Sequence, residues 1–239
     1  MDAQQLEQYR AALAGQPAAA IIAWAIAEWG PEHVALASSF GPEDQVLTAL
    51  LAAATPHPRV FTLDTGRLFE ETYALMQRTR RSYGLSIEVH APDATALAEL
   101  VGRHGPNLFF ESVEKRRACC ELRKVQPLAR ALRGLRAWIC GLRRDQGPTR
   151  EQTEVISWDE THGLYKLAPL HDWQEDEVWR YLHAHDVPYS ELHSRGFRSI
   201  GCAPCTRAVA PGQDQRAGRW WWEQPGAREC GLHRTDRGR

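Results

Sequence analysis

Nothing in this chain of 239 residues stays apolar long enough to cross a bilayer. The longest such stretch, AAAIIAWAIAEWG, is too short, carries Glu28, and follows no basic segment of the kind that opens a secretory signal. It reads as a core-facing helix, and the chain as cytoplasmic. Cysteine is also scarce. The six residues at 119, 120, 140, 202, 205 and 230 are too few and too clustered for a disulfide framework. Neither a P-loop nor a G-x-G-x-x-G motif is present, so neither of those phosphate-gripping loops operates here. There is no internal repeat and no low-complexity tract.

What is present suits one large α/β domain, or one with an appendage, since 43% of the residues are hydrophobic and 25% charged. The formal net charge of −1 hides an asymmetry. Residues 115–150 hold eleven Lys and Arg against two acids, and residues 198–239 hold eight against four, so the remainder is strongly acidic. Two basic segments in an acidic chain suggest convergence on an anion, against the plainer reading of solvated helix faces.

Short apolar runs alternate with helix-like stretches. HVALASSF reads as a strand followed by the helix PEDQVLTALLAAA, and RVFTLDTG followed by RLFEETYALMQRTRRSYG repeats the unit. LSIEVHAP and LRAWICGLRR read as further strands. This alternation predicts a doubly wound, mainly parallel sheet covered by helices, with ligands at the carboxyl ends of the strands. The loops at 38–44, 64–69 and 141–146 are then the candidates. EVISWDETHGLYKLAPL reads as two strands around a His-Gly turn, and Asp172 with Glu175 as a capping box opening the helix EDEVWRYLHAH. From Gly196 onward periodicity fades.

The adjacent thiols Cys119 and Cys120 in ACCELRKVQP precede Lys124 by four residues, and CAPC supplies Cys202 and Cys205. A C-x-x-C pair serves redox chemistry, zinc or an iron–sulfur group. Neighbouring residues on a helix project about 100° apart, which suits a bulky [4Fe–4S] cluster better than one small ion. Zinc and plain packing remain alternatives. Cys140, in AWIC, reads as strand packing. Cys230, in RECGLHRTDRGR, has Arg228, His233 and Arg234 nearby, and such charge lowers a thiol pKa. An incidental exposed thiol fits those residues equally well. SSFGPED, between a strand and a helix, reads as a loop whose amides face an anion, with a plain turn as the alternative. GLRRDQGPTR sets Gly141, Arg143, Arg144 and Arg150 at a strand end, suited to phosphate or ribose. Arg216 and Arg219 share a face if their segment is helical, and guanidinium forks suit phosphate or sulfate oxygens, unless the pair is merely solvated.

Taken together, SSFGPEDQV, FTLDTGRLFEETY, ACCELRKVQPL, GLRRDQGPTR, SIGCAPCTRAVAPGQDQRAGRWWWE and ECGLH resemble the sulfonucleotide reductases, in particular those acting on adenosine 5′-phosphosulfate (APS), from about residue 34 to 233. The resemblance implies a Rossmann-like fold of the adenine nucleotide α-hydrolase type. It implies a helical segment at 1–30, a sulfonucleotide-binding domain with its cluster at 31–225, and a mobile tail at 226–239. It places a [4Fe–4S] cluster on Cys119, Cys120, Cys202 and Cys205, makes Cys230 the nucleophile, and sets Lys124, Arg216, Arg219 and His233 around the substrate anion. Nucleotide contacts map onto Ser38, Ser39, Leu63, Gly141 and Arg150, and no function onto Cys140. The implied activity is reduction of APS to sulfite and AMP through an S-sulfocysteine. The donor would be thioredoxin or a glutaredoxin-like protein, with no nucleic acid or membrane partner and a homo-oligomer allowed.

Three rival readings remain. One is reduction of 3′-phosphoadenosine 5′-phosphosulfate (PAPS), a branch that generally lacks the cluster cysteines. Another is an ATP-using tRNA-thiolating enzyme of the same fold, although SSFGPED lacks its paired glycines. The third is an iron–sulfur nucleic-acid-binding module, in which ECGLH would have no purpose.

Overall fold

The structure is a computed structural model, and it describes residues 3–224 and 231–232, apart from the side chain of Pro148. Two helices open the chain, α1 (Ala3–Leu13) and α2 (Ala18–Trp29). The strands and helices β1 (Val34–Ala37), α3 (Pro42–Ala54), β2 (Arg59–Leu63), α4 (Glu70–Tyr83) and β3 (Ile87–His90) then alternate. Three more helices follow, α5 (Ala94–His104), α6 (Val113–Cys120) and α7 (Gln126–Ala131). The last elements are β4 (Ala137–Ile139), β5 (Ile156–Asp159), β6 (Leu164–Leu167) and α8 (Glu175–Ala184).

The six strands form one sheet in the order β3-β2-β1-β4-β6-β5. β1 pairs in parallel with β2 and with β4, β4 pairs in parallel with β6, and β5 runs antiparallel to its neighbour β6. Continuous apolar strands such as Val34–Leu36 and Ala137–Ile139 are what a centrally placed parallel strand requires, because both of its faces are covered. The switch of strand order falls between β1 and β4.

The chain divides into two compact units. The first comprises residues 1–62, 70–88 and 134–195. Its core gathers Ile21 and Ile22 of α2, Leu36 of β1, Val46 and Leu51 of α3, Ile139 of β4 and Leu182 of α8. α1 joins this core through aromatic rings: Tyr9 meets Trp24 at 4.9 Å, Trp29 at 5.7 Å and Tyr165 at 5.4 Å. The second unit comprises residues 63–69, 89–133 and 196–239. Its core is small, built from Leu108, Phe109, Trp220 and four cysteines. The expected boundary near residue 30 does not coincide with this division, since the first 30 residues lie within the first unit. Among the described residues, no helix is long and apolar enough to cross a membrane.

Helix ends follow local chemistry. Pro42 occupies the first turn of α3, Asp93 caps α5 by accepting from Ala96 N, and Ser112 caps α6 by accepting from Lys115 N. The box opening α8 is Gln174 with Glu177, two residues beyond the expected Asp172 and Glu175. Both pairs have the x-x-Glu spacing. The backbone at Gln174 is the one that is extended, and Gln174 N donates to Glu177 at 2.7 Å.

Candidate functional site

In the second unit, α6 carries Cys119 and Cys120 in its last turn, and the helix runs directly into a π-helical turn over Glu121–Val125. Single π-turns inside helices concentrate at functional sites. This one turns Arg123 and Lys124 toward the cavity that the cysteines line. Cys202 and Cys205 reach the same cavity from a tight turn, where Cys205 N donates to Cys202 O at 3.0 Å. All four thiols are 8% exposed. Arg67, Arg116, Phe109 and Trp220 complete the wall of this small cavity.

The thiols are not equivalent. Burial pushes Cys205 up to about 12, helped by its neighbour Cys202. Burial also raises Cys119. Cys202 experiences the same desolvation, but Lys124, a hydrogen bond from Thr65, Arg219 and Arg123 outweigh it and hold the thiol below its ordinary value. Thr65 Oγ1 lies 3.2 Å from Cys202 Sγ. Behind the thiols, Arg116 and Glu223 form a fully buried two-point ion pair at 2.9 and 2.8 Å. Arg116 also lies 4.9 Å above the Trp220 ring. The Trp220 indole N–H is buried without a hydrogen-bond partner in a wall that also holds sulfur, cations, Phe109 and Pro204.

Arg219 and Arg216 lie in a turn rather than a helix, with Arg219 N donating to Arg216 O at 2.9 Å. Their expected common helical face is therefore absent. Arg219 is buried, stacks 4.8 Å over Trp220, and donates to Ile200 O at 3.2 Å. It leaves no room for a side chain at Gly201, where a Cβ would lie 2.2 Å from its guanidinium. Leu63 ends β2 just before Asp64, whose carboxylate accepts from Gly66 N at 2.8 Å in a turn that needs the positive φ of Gly66.

In the first unit, the loops after β1 and β4 bring together Ser38, Ser39, Gly141 and Arg150. In SSFGPED, two of the amides that could face an anion have partners within the chain. Ser39 N donates to Asp44 at 2.7 Å and Phe40 N to Ser38 Oγ at 3.2 Å, so the chain's own groups occupy these amides. Two acids in the first turn of α3 already satisfy the positive end of that helix. Arg143 is likewise withdrawn from any phosphate. It is wholly buried, bonded to Glu43 at 2.9 Å and Asp145 at 2.9 Å. Arg144 donates to Thr153 O. Gln146 bridges Glu43 and Gly141 O at 2.9 and 3.0 Å, and its own oxygen accepts from Arg150. Cys140 is packed at the end of β4, its thiol on Leu167 O at 3.5 Å and raised by burial. Cys230 and His233 lie outside the described residues.

Nothing in the sequence pattern marks Arg67, Thr65, Arg116 or Arg123 as lining the site, and the run from Trp220 to Trp222 reads there as packing. Their approach to the cysteines depends on chain segments far apart in number, and only the basic excess around residues 115–150 hinted at the cationic wall.

A family model described as a phosphoadenosine phosphosulfate reductase domain matches residues 33–208. A curated relative named adenosine 5′-phosphosulfate reductase, from Allochromatium vinosum, is 50% identical over 205 residues, covering 86% of this chain and 80% of that one. Another of the same name, from Burkholderia cepacia, is 49% identical over 213 residues, covering 88% and 85%. Among solved structures, a phosphoadenylyl-sulfate reductase from Candida auris superposes with a TM-score of 0.74 at 23% identity, over 87% of this chain and 98% of that one. An FMN adenylyltransferase from Candida glabrata superposes at 0.56 and 18% identity, over 80% and 64%. These likenesses give the fold, a mostly parallel sheet of the adenine nucleotide α-hydrolase type.

Proposed function

We propose, for a chain that belongs to the phosphoadenosine phosphosulfate reductase domain family, that it reduces adenosine 5′-phosphosulfate to sulfite and AMP in sulfate assimilation. The observation that carries the choice of substrate is the 45–50% identity to several relatives named for that activity, over more than four fifths of this chain. The family model's own description, and the superposition on a PAPS reductase, favour the 3′-phosphorylated nucleotide as the second reading. Sulfite release from each nucleotide, with thioredoxin supplied, decides between them. Faster turnover of APS is expected, and turnover of the 3′-phosphorylated nucleotide alone would reverse the assignment.

The chemistry follows from a thiolate at Cys230. It attacks the sulfuryl sulfur, the bond from sulfur to the bridging phosphate oxygen breaks, and AMP leaves with that electron pair. The enzyme is left with a Cys–S–sulfonate. A thioredoxin thiolate then attacks the Cys230 sulfur, sulfite departs, and the second thioredoxin thiol resolves the mixed disulfide. Two thiols are oxidised and sulfur is reduced by two electrons, so the balance closes without another donor. Lys124, Arg216, Arg219 and His233 would neutralise charge on the departing phosphate and the sulfuryl oxygens. Ser38, Ser39, Leu63, Gly141 and Arg150 would hold the nucleotide.

The donor set around the second unit's cavity suits a [4Fe–4S] cluster. Four buried thiols line one cavity walled by cationic side chains, a donor set of the chemistry such a cluster uses. Cys119, Cys120, Cys202 and Cys205 would be its ligands, and Arg67, Arg116, Arg123 and Lys124 would offset its negative charge. When bound, such a group would contribute shape and electrostatics, because thiols already supply both electrons. A thioredoxin donor would suit a reducing compartment such as the cytoplasm.

A further inference from the structure

In open α/β sheets, ligands bind beside the point where strand order reverses, which here lies between β1 and β4. The loops leaving those two strands meet at one buried side chain. Asp44, in the first turn of α3, accepts from Ser39 N at 2.7 Å and from the Ser39 hydroxyl at 2.8 Å, both on Oδ2. Its other oxygen faces Gly141, where a Cβ would lie 2.6 Å from Oδ1 and 2.8 Å from Glu43 Cβ. The backbone at the end of β4 therefore approaches as closely as glycine permits.

The loop after β1 needs such a fastening. Ser39 is exposed between the buried Ser38 and Phe40, so packing holds its neighbours but not its own side chain, and Phe40 has φ of 60°. A non-glycine residue in that left-handed region is strained and persists only where its surroundings over-determine it. The charged groups around Asp44 are already engaged. Glu43 beside it is bonded to Arg143 and Gln146, and the Cys140 thiol donates to Leu167 O.

We propose that Asp44 is a positioning residue for the adenylyl nucleotide. By fixing Ser39 on one loop and bounding Gly141 on the other, it preforms the surface that receives the nucleoside half of the substrate. It does so without touching that substrate. The proposal rests on the nucleotide-binding reading above. It also explains a cost, because burial pushes the Asp44 carboxyl up to about 6. A residue serving the fold alone could be an asparagine, which satisfies the same donors without burying a charge. A carboxylate holds them with charge-assisted bonds about twice as strong as neutral ones, and so keeps the exposed Ser39 stiffer.

The test is titration of the purified enzyme with AMP and with adenosine 5′-phosphosulfate, alongside steady-state kinetics. Asp44→Ala should weaken AMP binding about 10–100-fold, the scale of one or two charged hydrogen bonds, and raise KM with kcat largely kept. Asp44→Asn should recover most of the loss. Ser39→Ala should cost less in the Asp44→Ala background than in the wild type, because both changes cut one link. Should Asp44→Ala not fold, Ser39→Ala in the wild type and in Asp44→Asn measures the same coupling with the buried position still filled. The serine change should then cost about threefold more in the wild type, where its bond is charge-assisted. Wild-type affinity in Asp44→Ala, strictly additive effects, or a loss confined to kcat would overturn the proposal alone. A wild-type protein that binds neither nucleotide would overturn the functional reading, and this proposal with it.

Discussion

A carboxylate such as Asp44, buried to the point where its pKa reaches about 6, has a consequence for stability with a definite sign. The cause is desolvation, which the Ser39 hydrogen bonds only partly offset. Its ordinary value is 3.8, so between about pH 4 and 6 the folded chain binds more protons than the unfolded one. Stability therefore falls as pH rises through that window, and the full cost, about 3 kcal/mol at 1.36 per pH unit, is present above it. Asp44→Asn keeps an acceptor for Ser39 and removes the titration. Thermal melts of the two proteins should coincide near pH 4, and above pH 6 the variant should melt several degrees higher. Parallel melts across that range would mean the carboxyl is solvated and not raised. The surface pattern of SSFGPED hid this residue. An acid in a helix's first turn is usually a solvated partner of the helix dipole, and nothing in the spacing marks Asp44 as buried.

Among the elements, α6 with its π-turn bears most on the site. The helix ends in two cysteines, its continuation carries Arg123 and Lys124, and Arg116 on the same helix is locked to Glu223 across 107 residues of sequence. A buried ion pair is weak evidence of stability, but breaking one leaves an uncompensated charge and costs about 3–5 kcal/mol. Glu223→Ala should therefore loosen the wall behind the thiols. Iron retained by the purified protein under chelator challenge should drop well below wild type, while Arg103→Ala, at an exposed position of the same unit, should leave it unchanged. Equal iron retention in both variants would separate the ion pair from the cofactor. Helices such as Pro42–Ala54 were legible from the sequence because proline and an alanine run mark both ends. The start of α8 was displaced by two residues because two pairs share the capping spacing, and only backbone geometry distinguishes them. The π-turn has no sequence pattern of its own. An ordinary 3.6-residue period reads straight through ELRKV, so the convergence of Arg123 and Lys124 on the cysteines was visible only as a local excess of charge.

Across the whole molecule, each unit carries its own share of the chemistry. The first holds the switch-point loops with Ser38, Ser39, Gly141 and Arg150, and the second holds the four thiols, Lys124, Arg216 and Arg219. The parallel sheet was legible from alternating apolar runs, and the cysteine grouping from chemistry and resemblance together. The ring of cations, the buried Arg143 and the occupied amides of the β1 loop were not, because burial and long-range pairing leave no local period. The central claim is covalent transfer through a thiolate, and it is tested most directly with the reaction stopped halfway. Enzyme mixed with adenosine 5′-phosphosulfate and no thioredoxin should release one AMP per active site and halt. Its mass should rise by one sulfonate, located on the peptide containing Cys230, and Cys230→Ser should bind AMP yet form no adduct. Sulfite released by Cys230→Ser at the wild-type rate, or continuous AMP release with no adduct on any cysteine, would contradict the covalent mechanism.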